Sequence, residues 1–164
     1  MTSFMPKDPD DQRRVKETFN RQRVMQTLGV TLKEPEPGEI QFTMPANELY
    51  TQQHGFMHAG IITTALDSAC GCAAFSLMPA DAAIPTVEFK TNLVAPAKGE
   101  SFVFHARVIK PGRTLTLCDA QAFAIDGGTK KLIATMSGTL MALYGRQDIQ
   151  RTTKASLPSA NSDA

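Results

Sequence analysis

The stretch QQHGFMHAGIITTALDSACGCAAFSL, residues 52–77, carries a single charged side chain, Asp67. From Ala59 to Leu77 the other residues are apolar, small or hydroxylated. A carboxylate in such a segment is costly to bury unless it is paired, hydrogen-bonded or neutralised. Two readings stay open. Either Asp67 meets a basic partner or a wet subunit seam, or burial tunes it as a base or nucleophile. A helix starting near His58–Gly60 would leave its first N–H groups free at the positive end of the helix dipole. Such donors can hold a carbonyl oxygen as negative charge develops on it. Asp67 lies eight residues beyond Ala59, about 12 Å along a helix axis. One carbonyl cannot touch both within one chain. Two antiparallel copies of the helix across a dimer axis would bring the start of one near Asp67 of the other, giving a shared site at a two-fold interface.

The elements that must position these residues follow from pattern. DPDDQRRVKETFNRQRVMQTLGV reads as a helix, with Asp8 or Asp10 as cap, Val15, Phe19, Met25 and Leu28 as its apolar stripe and Gly29 as its stop. The alternation in residues 40–44 is that of a strand ended by Pro45. Residues 51–57 form a polar loop. The segment from about 58 to 77 is too long for a strand, and being apolar all round it is expected to be a helix buried on all sides. Four strand-like runs follow at 84–97, 101–110, 114–125 and 131–144, separated by AKGE, KPGR and DGGTK. Turns this short predict antiparallel neighbours, hence a four-strand meander. A sheet around one central helix is an α+β arrangement, and its open edges favour pairing with a second copy. The expected organisation is a helical extension over 1–28, one domain over 29–145 and a flexible polar tail over 146–164.

Composition narrows the function classes. A chain of 164 residues with net charge +1 fits one domain with a proper core and has no general pull toward nucleic acid or an anionic membrane. Residues 59–78 approach the length of a membrane span. They are rich in Ala, Gly, Ser and Thr, are interrupted by Asp67, and have Lys33 and Lys90 as their nearest basic neighbours, so no span is expected. The N-terminus lacks the apolar core of a secretory signal. The three cysteines, Cys70, Cys72 and Cys118, suit neither a disulfide framework nor zinc, and a reducing, cytoplasmic setting is expected. Neither a Gly-x-Ser-x-Gly elbow nor a Gly-rich phosphate loop is present. His58 reads as a structural residue at the helix start, His105 as a structural strand residue, and His54 as lining the pocket or facing solvent.

On these residues the chain resembles the hotdog-fold acyl-CoA thioesterases, in particular the phenylacetate-pathway (PaaI-like) family and its relative, 4-hydroxybenzoyl-CoA thioesterase of the Arthrobacter type. The resemblance runs from about residue 20 to 144. Its centre is a His-Gly-Gly motif with an acidic residue nine positions after the His, matched by His58-Ala59-Gly60 and Asp67. The family has Asn or Gln six positions before that His, and Gln52 stands there. TVEFKTNLVAPAKGE and GTKKLIATMSGTLMAL look like the family's second and final strands.

The resemblance implies a hotdog fold and hydrolysis of an acyl-CoA to a carboxylic acid and free CoA, with no separate cofactor and no metal. Carried over residue by residue, the Ala59 N–H would polarise the carbonyl, and Asp67 of the partner subunit would be nucleophile or base. Gln52 would hold the water or the carbonyl, and Thr86 would help place the water. His54, His58 and Gly60 would border the substrate. Lys90, Lys98, Lys110 and Arg113 would be candidates for the CoA phosphates. A homodimer, as a dimer of dimers, is expected. The departure is Ala59 in place of the motif's first Gly: its N–H survives if φ is helical, while its bulk bears on substrate choice. A non-catalytic acyl-CoA binding or sensing protein of the same fold is the alternative.

Overall fold

The computed structural model describes residues 4–145. The N-terminal segment is helical as predicted but broken, into α1 (Asp11–Arg21) and α2 (Arg23–Thr27), because Gln22 leaves the helical region at ψ 93°. Val15, Phe19, Met25 and Leu28 are all buried, and Gly29 ends the run at φ +68°. A two-residue strand, β1 (Thr31–Leu32), then pairs with β2 (Glu39–Pro45). A 3-10 turn (Glu48–Tyr50) precedes the long helix α3 (Ala59–Ser76). Four strands complete the described chain: β3 (Thr86–Leu93), β4 (Ser101–Lys110), β5 (Leu115–Asp126) and β6 (Thr129–Met141).

The six strands form one antiparallel sheet in the order β1-β2-β4-β5-β6-β3. This corrects the meander expected from the turns. The connection between β3 and β4 is no hairpin. Residues 94–100 include Pro96, and Val94 and Ala95 donate to the Ile133 carbonyl of β6 instead. β2 occupies the edge of β4 that β3 would have taken, so β3 crosses over and pairs with β6 at the rim of the sheet.

Alternation sorts the sheet faces. Phe42, Phe102, Phe104, Ala106, Cys118, Ala120, Ala122 and Met136 point toward α3 and are buried with Ile62, Leu66 and Ala69 of the helix. The opposite face is largely polar and exposed, as one-sided antiparallel sheets are.

Helix α3 is not buried on all sides, contrary to expectation. Thr63, Thr64, Asp67, Ser68 and Gly71 form a half-exposed stripe, and Gly60 above them is exposed. Beside that stripe runs β3, whose residues are nearly all exposed. Phe89 and Leu93 pair with the inward-facing Gly138 and Ala134, so they lie on the helix side of the sheet, yet they are 44% and 59% exposed. Residues of this type exposed on an unpaired edge are an unfilled surface.

The C-terminal end of α3 is fixed by α1. The Arg14 guanidinium stacks 4.2 Å from the Phe75 ring centroid. It donates to the carbonyls of Pro79 (2.8 Å), Phe75 (3.3 Å) and Met78, and its Nε lies 2.8 Å from the Asp8 carboxylate. Two of these carbonyls lie just beyond α3, those of Phe75 and Pro79 also accept backbone N–H groups, and a cation there opposes the negative end of the dipole. Residues 146–164, expected to be a loose tail, lie outside the described residues.

Candidate active site at the start of helix α3

The loop before α3 is pinned at both ends. Thr51 bridges to Met57, Gly55 turns at φ +78°, Met57 N–H donates to Ala97 O (2.9 Å) and His58 N–H donates to Tyr50 O (2.9 Å). His58 is the N-cap: its backbone is extended and its Nδ1 accepts from Gly60 N–H at 2.9 Å. The carbonyl of His58 takes the N–H groups of Ile61 (3.0 Å) and Ile62 (3.3 Å). Of the four N–H groups that a helix start leaves over, three are therefore used. The fourth belongs to Ala59 and has no acceptor among the described residues. Gly60 permits this cap, because a Cβ there would stand 3.1 Å from His58 Nδ1.

Gln52 lies in the same pocket as Ala59, with Phe56, Met57, Ile62 and the segment 93–97 around them. The pocket volume is about 410 Å³, and its lining is mainly apolar. Gln52 Oε1 accepts the N–H of His54, so its amide NH2 is the group left to donate into the pocket. The His54 side chain itself is exposed and outside the lining; its part is to orient Gln52 through the backbone.

Asp67 sits elsewhere on the chain. It is half-buried, and Thr86 at the start of β3 donates its hydroxyl to Asp67 Oδ1 at 2.9 Å. No basic side chain forms an ion pair with it among the described residues, which sets aside the reading of Asp67 as half of an internal salt bridge. The carboxylate and Thr86 line a separate cleft of about 200 Å³ between α3 and α1, away from Ala59 and Gln52. One chain thus holds the free Ala59 N–H and the Asp67 carboxylate on two distinct surfaces of one helix.

The basic candidates do not form one cluster. Lys98 joins Lys131 in a pocket that shares Phe56 and Pro96 with the Ala59 pocket. Lys110 and Arg113 lie at the other end of the sheet, since Ser101 pairs with Ile125 at one end of β4 and Lys110 with Leu117 at the other. Lys90 pairs with Ser137 on the sheet face away from α3. Sequence reasoning missed Lys131; its signal was the register of β5 and β6, which brings the β6 start beside the turn holding Lys98. It also missed Thr18 and Gln22 of α1, which wall the Asp67 cleft.

His105 pairs with Glu39 at 2.6 Å on the outer sheet face. The thiols of Cys70, Cys72 and Cys118 are free and buried. Desolvation raises all three above the usual thiol range, Cys72 and Cys118 to about 12.

Residues 54–131 match the model of the thioesterase superfamily. Human acyl-coenzyme A thioesterase 13 is 31% identical over 108 residues, covering 64% of this chain and 74% of that one. A thioesterase family protein from Silicibacter pomeroyi is similar in structure, with TM-score 0.81 and 54% identity over 82% of this chain and 99% of that one. The Escherichia coli PaaI protein from the phenylacetic acid degradation operon shares the fold, with TM-score 0.73 at 16% identity over 82% of this chain and 94% of that one. With its helix-capping His58, its edge strand β3 and its Asp67–Thr86 pair in place, this chain belongs to the hotdog-fold thioesterase superfamily.

Proposed function

We propose that the protein is an acyl-CoA thioesterase, releasing a carboxylic acid and free CoA, and that it works as at least a dimer with each site built from two chains. The observation that carries this reading is the Ala59 N–H, the one donor of the α3 first turn without an acceptor among the described residues, facing an apolar pocket beside the Gln52 amide. Donors held in that way, in a dry site, stabilise the oxyanion of a thioester under attack.

The geometry supports the following course for the reaction. The thioester carbonyl accepts from Ala59 N–H and Gln52 NH2 of one chain. Asp67 of the second chain faces the carbonyl carbon, with one carboxylate oxygen held by Thr86 and the other available. It either attacks the carbon or takes a proton from the water that does so. In both routes the carbonyl π electrons move onto the oxygen and return as the C–S bond breaks, CoA leaves as thiolate and is protonated, and one water is consumed. The pantetheine arm has an apolar path through the Ala59 pocket, past Phe56 and Pro96, to Lys98 and Lys131, which suit the CoA phosphates.

The unpaired rim supports the dimer. β3 offers an open edge, and Phe89, Leu93 and the small-residue stripe of α3 offer a face for a second copy. Two antiparallel α3 helices packed there would span the roughly 12 Å between Ala59 and Asp67.

The test is complementation. Asp67→Asn and Ala59→Pro are each expected to be inactive toward a panel of acyl-CoAs. The Pro variant is benign for the fold: position 59 is the first helical residue, His58 before it is already extended at ψ 136°, and the N–H removed serves nothing inside the chain. Mixed and re-associated, the two should recover toward about a quarter of wild-type activity, since about half the dimers are mixed and each carries one intact site. Subunit exchange without recovered activity would refute the shared site. Wild-type protein that binds acyl-CoA and releases no CoA would refute the enzyme.

A further inference from the structure

The cleft beside Asp67 has a wall that the thioesterase superfamily match does not reach. That match begins at residue 54, whereas Thr18 and Gln22 come from α1 and the break that follows it. They lie four residues apart, on one face of the helix, and both are half-buried. Phe75 and Ile84 line the same cleft. The cleft therefore joins the Asp67–Thr86 pair to apolar side chains and to a polar wall on α1. Gly71 adds to its width. It sits one turn beyond Asp67 on the half-exposed stripe, and a Cβ built there would meet nothing within 4 Å. A mid-helix glycine is disfavoured against alanine, and no close backbone approach within the described chain accounts for this one.

The polar wall is poorly satisfied by the chain itself. Gln22 Nε2 reaches only Cys72 Sγ, at 4.0 Å, and Gln22 Oε1 has no protein partner among the described residues. Thr18 Oγ1 accepts a long contact from Arg21 at 3.4 Å, which leaves its hydroxyl proton to give. An amide and a hydroxyl lining a cleft of about 200 Å³ discriminate against a ligand that buries them without hydrogen bonds.

Resting on the thioesterase reading above, we infer that α1 is the end wall of the acyl pocket. Thr18 and Gln22 then act as specificity-determining residues, selecting a compact acyl group with a hydrogen-bonding substituent at the end remote from the thioester. Long unbranched acyl chains run into α1 and are poor substrates. The larger pocket beside Ala59 is left to the pantetheine arm, in keeping with its apolar lining and its continuity with Lys98.

The experiment compares 6-hydroxyhexanoyl-CoA with heptanoyl-CoA, which exchange a hydroxyl for a methyl group at nearly constant size. The ratio of their kcat/KM values within one preparation does not depend on how much of the protein is active. Wild type should favour the hydroxylated substrate by about tenfold, and hexadecanoyl-CoA should be far worse than either. The Thr18→Val/Gln22→Leu double variant should bring the ratio to one or reverse it, while Thr18→Ser/Gln22→Asn should keep the wild-type preference. Gln22→Leu alone gives the same reading if the double variant does not fold. Rapid hydrolysis of hexadecanoyl-CoA, or a ratio near one in wild type that the variants leave alone, overturns the inference and leaves the thioesterase reading standing. Absence of turnover on every thioester overturns both, and is distinguished by the lack of any CoA release from wild type.

Discussion

Asp67 has no ion-pair partner among the described residues, and the Thr86 hydroxyl fixes one of its oxygens in place. Asp67→Asn removes the anion and keeps the shape, so the fold should be intact by circular dichroism while turnover falls by at least about a hundredfold. Near-normal turnover in the folded variant would exclude Asp67 from the reaction. Thr86→Val deletes a hydrogen bond to a charged group, and kcat should drop by roughly tenfold with little change in KM. An unaltered kcat would mean that the 2.9 Å contact does not set the carboxylate's aim. For Gln52→Ala the loss should again fall on kcat, by about 1–3 kcal/mol in the barrier, because the amide meets the carbonyl as charge builds on it. A change confined to KM would make Gln52 a binding residue only.

Helix α3 owes the free N–H at its start to a cap that spends three such groups and spares one. Gly60→Ala forces a Cβ against the His58 ring, so the cap should weaken by about 1 kcal/mol, read as a lower thermal midpoint together with a lower kcat. At the other end, Arg14→Ala removes the cation that ties α1 to the carbonyls of Phe75, Met78 and Pro79 and should cost about 2–3 kcal/mol of stability, measured by denaturant titration. The helix itself was legible because the apolar run is too long for a strand and, with its small residues and Asp67, unlike a membrane span, and Gly29 and Pro45 marked their boundaries plainly. Two features were not legible. β3 reads in sequence like its neighbours, and only the claim of β2 on the β4 edge sends it to β6. The half-exposed stripe of α3 is made of Gly, Thr and Ser, residues that pack or face water equally well, so composition alone read it as interior. The motif spacing located Ala59, Gln52 and Asp67, whereas Thr18 and Gln22 are distant in sequence and carry no pattern of their own.

At the scale of the whole molecule, one face is incomplete. The edge of β3 and the exposed stripe of α3 adjoin each other, and Ala59 and Asp67, the groups proposed to react, lie on or beside them. A charge at the rim should therefore remove assembly and activity together: Phe89→Lys should give a monomer by sedimentation or light scattering, with CoA release lost in parallel. A monomeric variant with full activity would refute the two-chain site. Such a change sits 44% exposed in the single chain, so the monomer should remain folded, which separates loss of assembly from loss of structure.

The buried thiols give the protein an unusual transparency. Burial pushes the Cys72 and Cys118 thiols up to about 12, so at pH 8 very little of either is the reactive thiolate. A chromogenic thiol reagent added to the folded protein should therefore register the coenzyme set free and almost nothing of the protein. Any slow colour without substrate times the opening of the core. The same thiols bind protons more tightly folded than unfolded, so stability they contribute below about pH 9 should fade as pH rises toward 12. Reagent uptake measured across that range would give a clock for unfolding that needs no label.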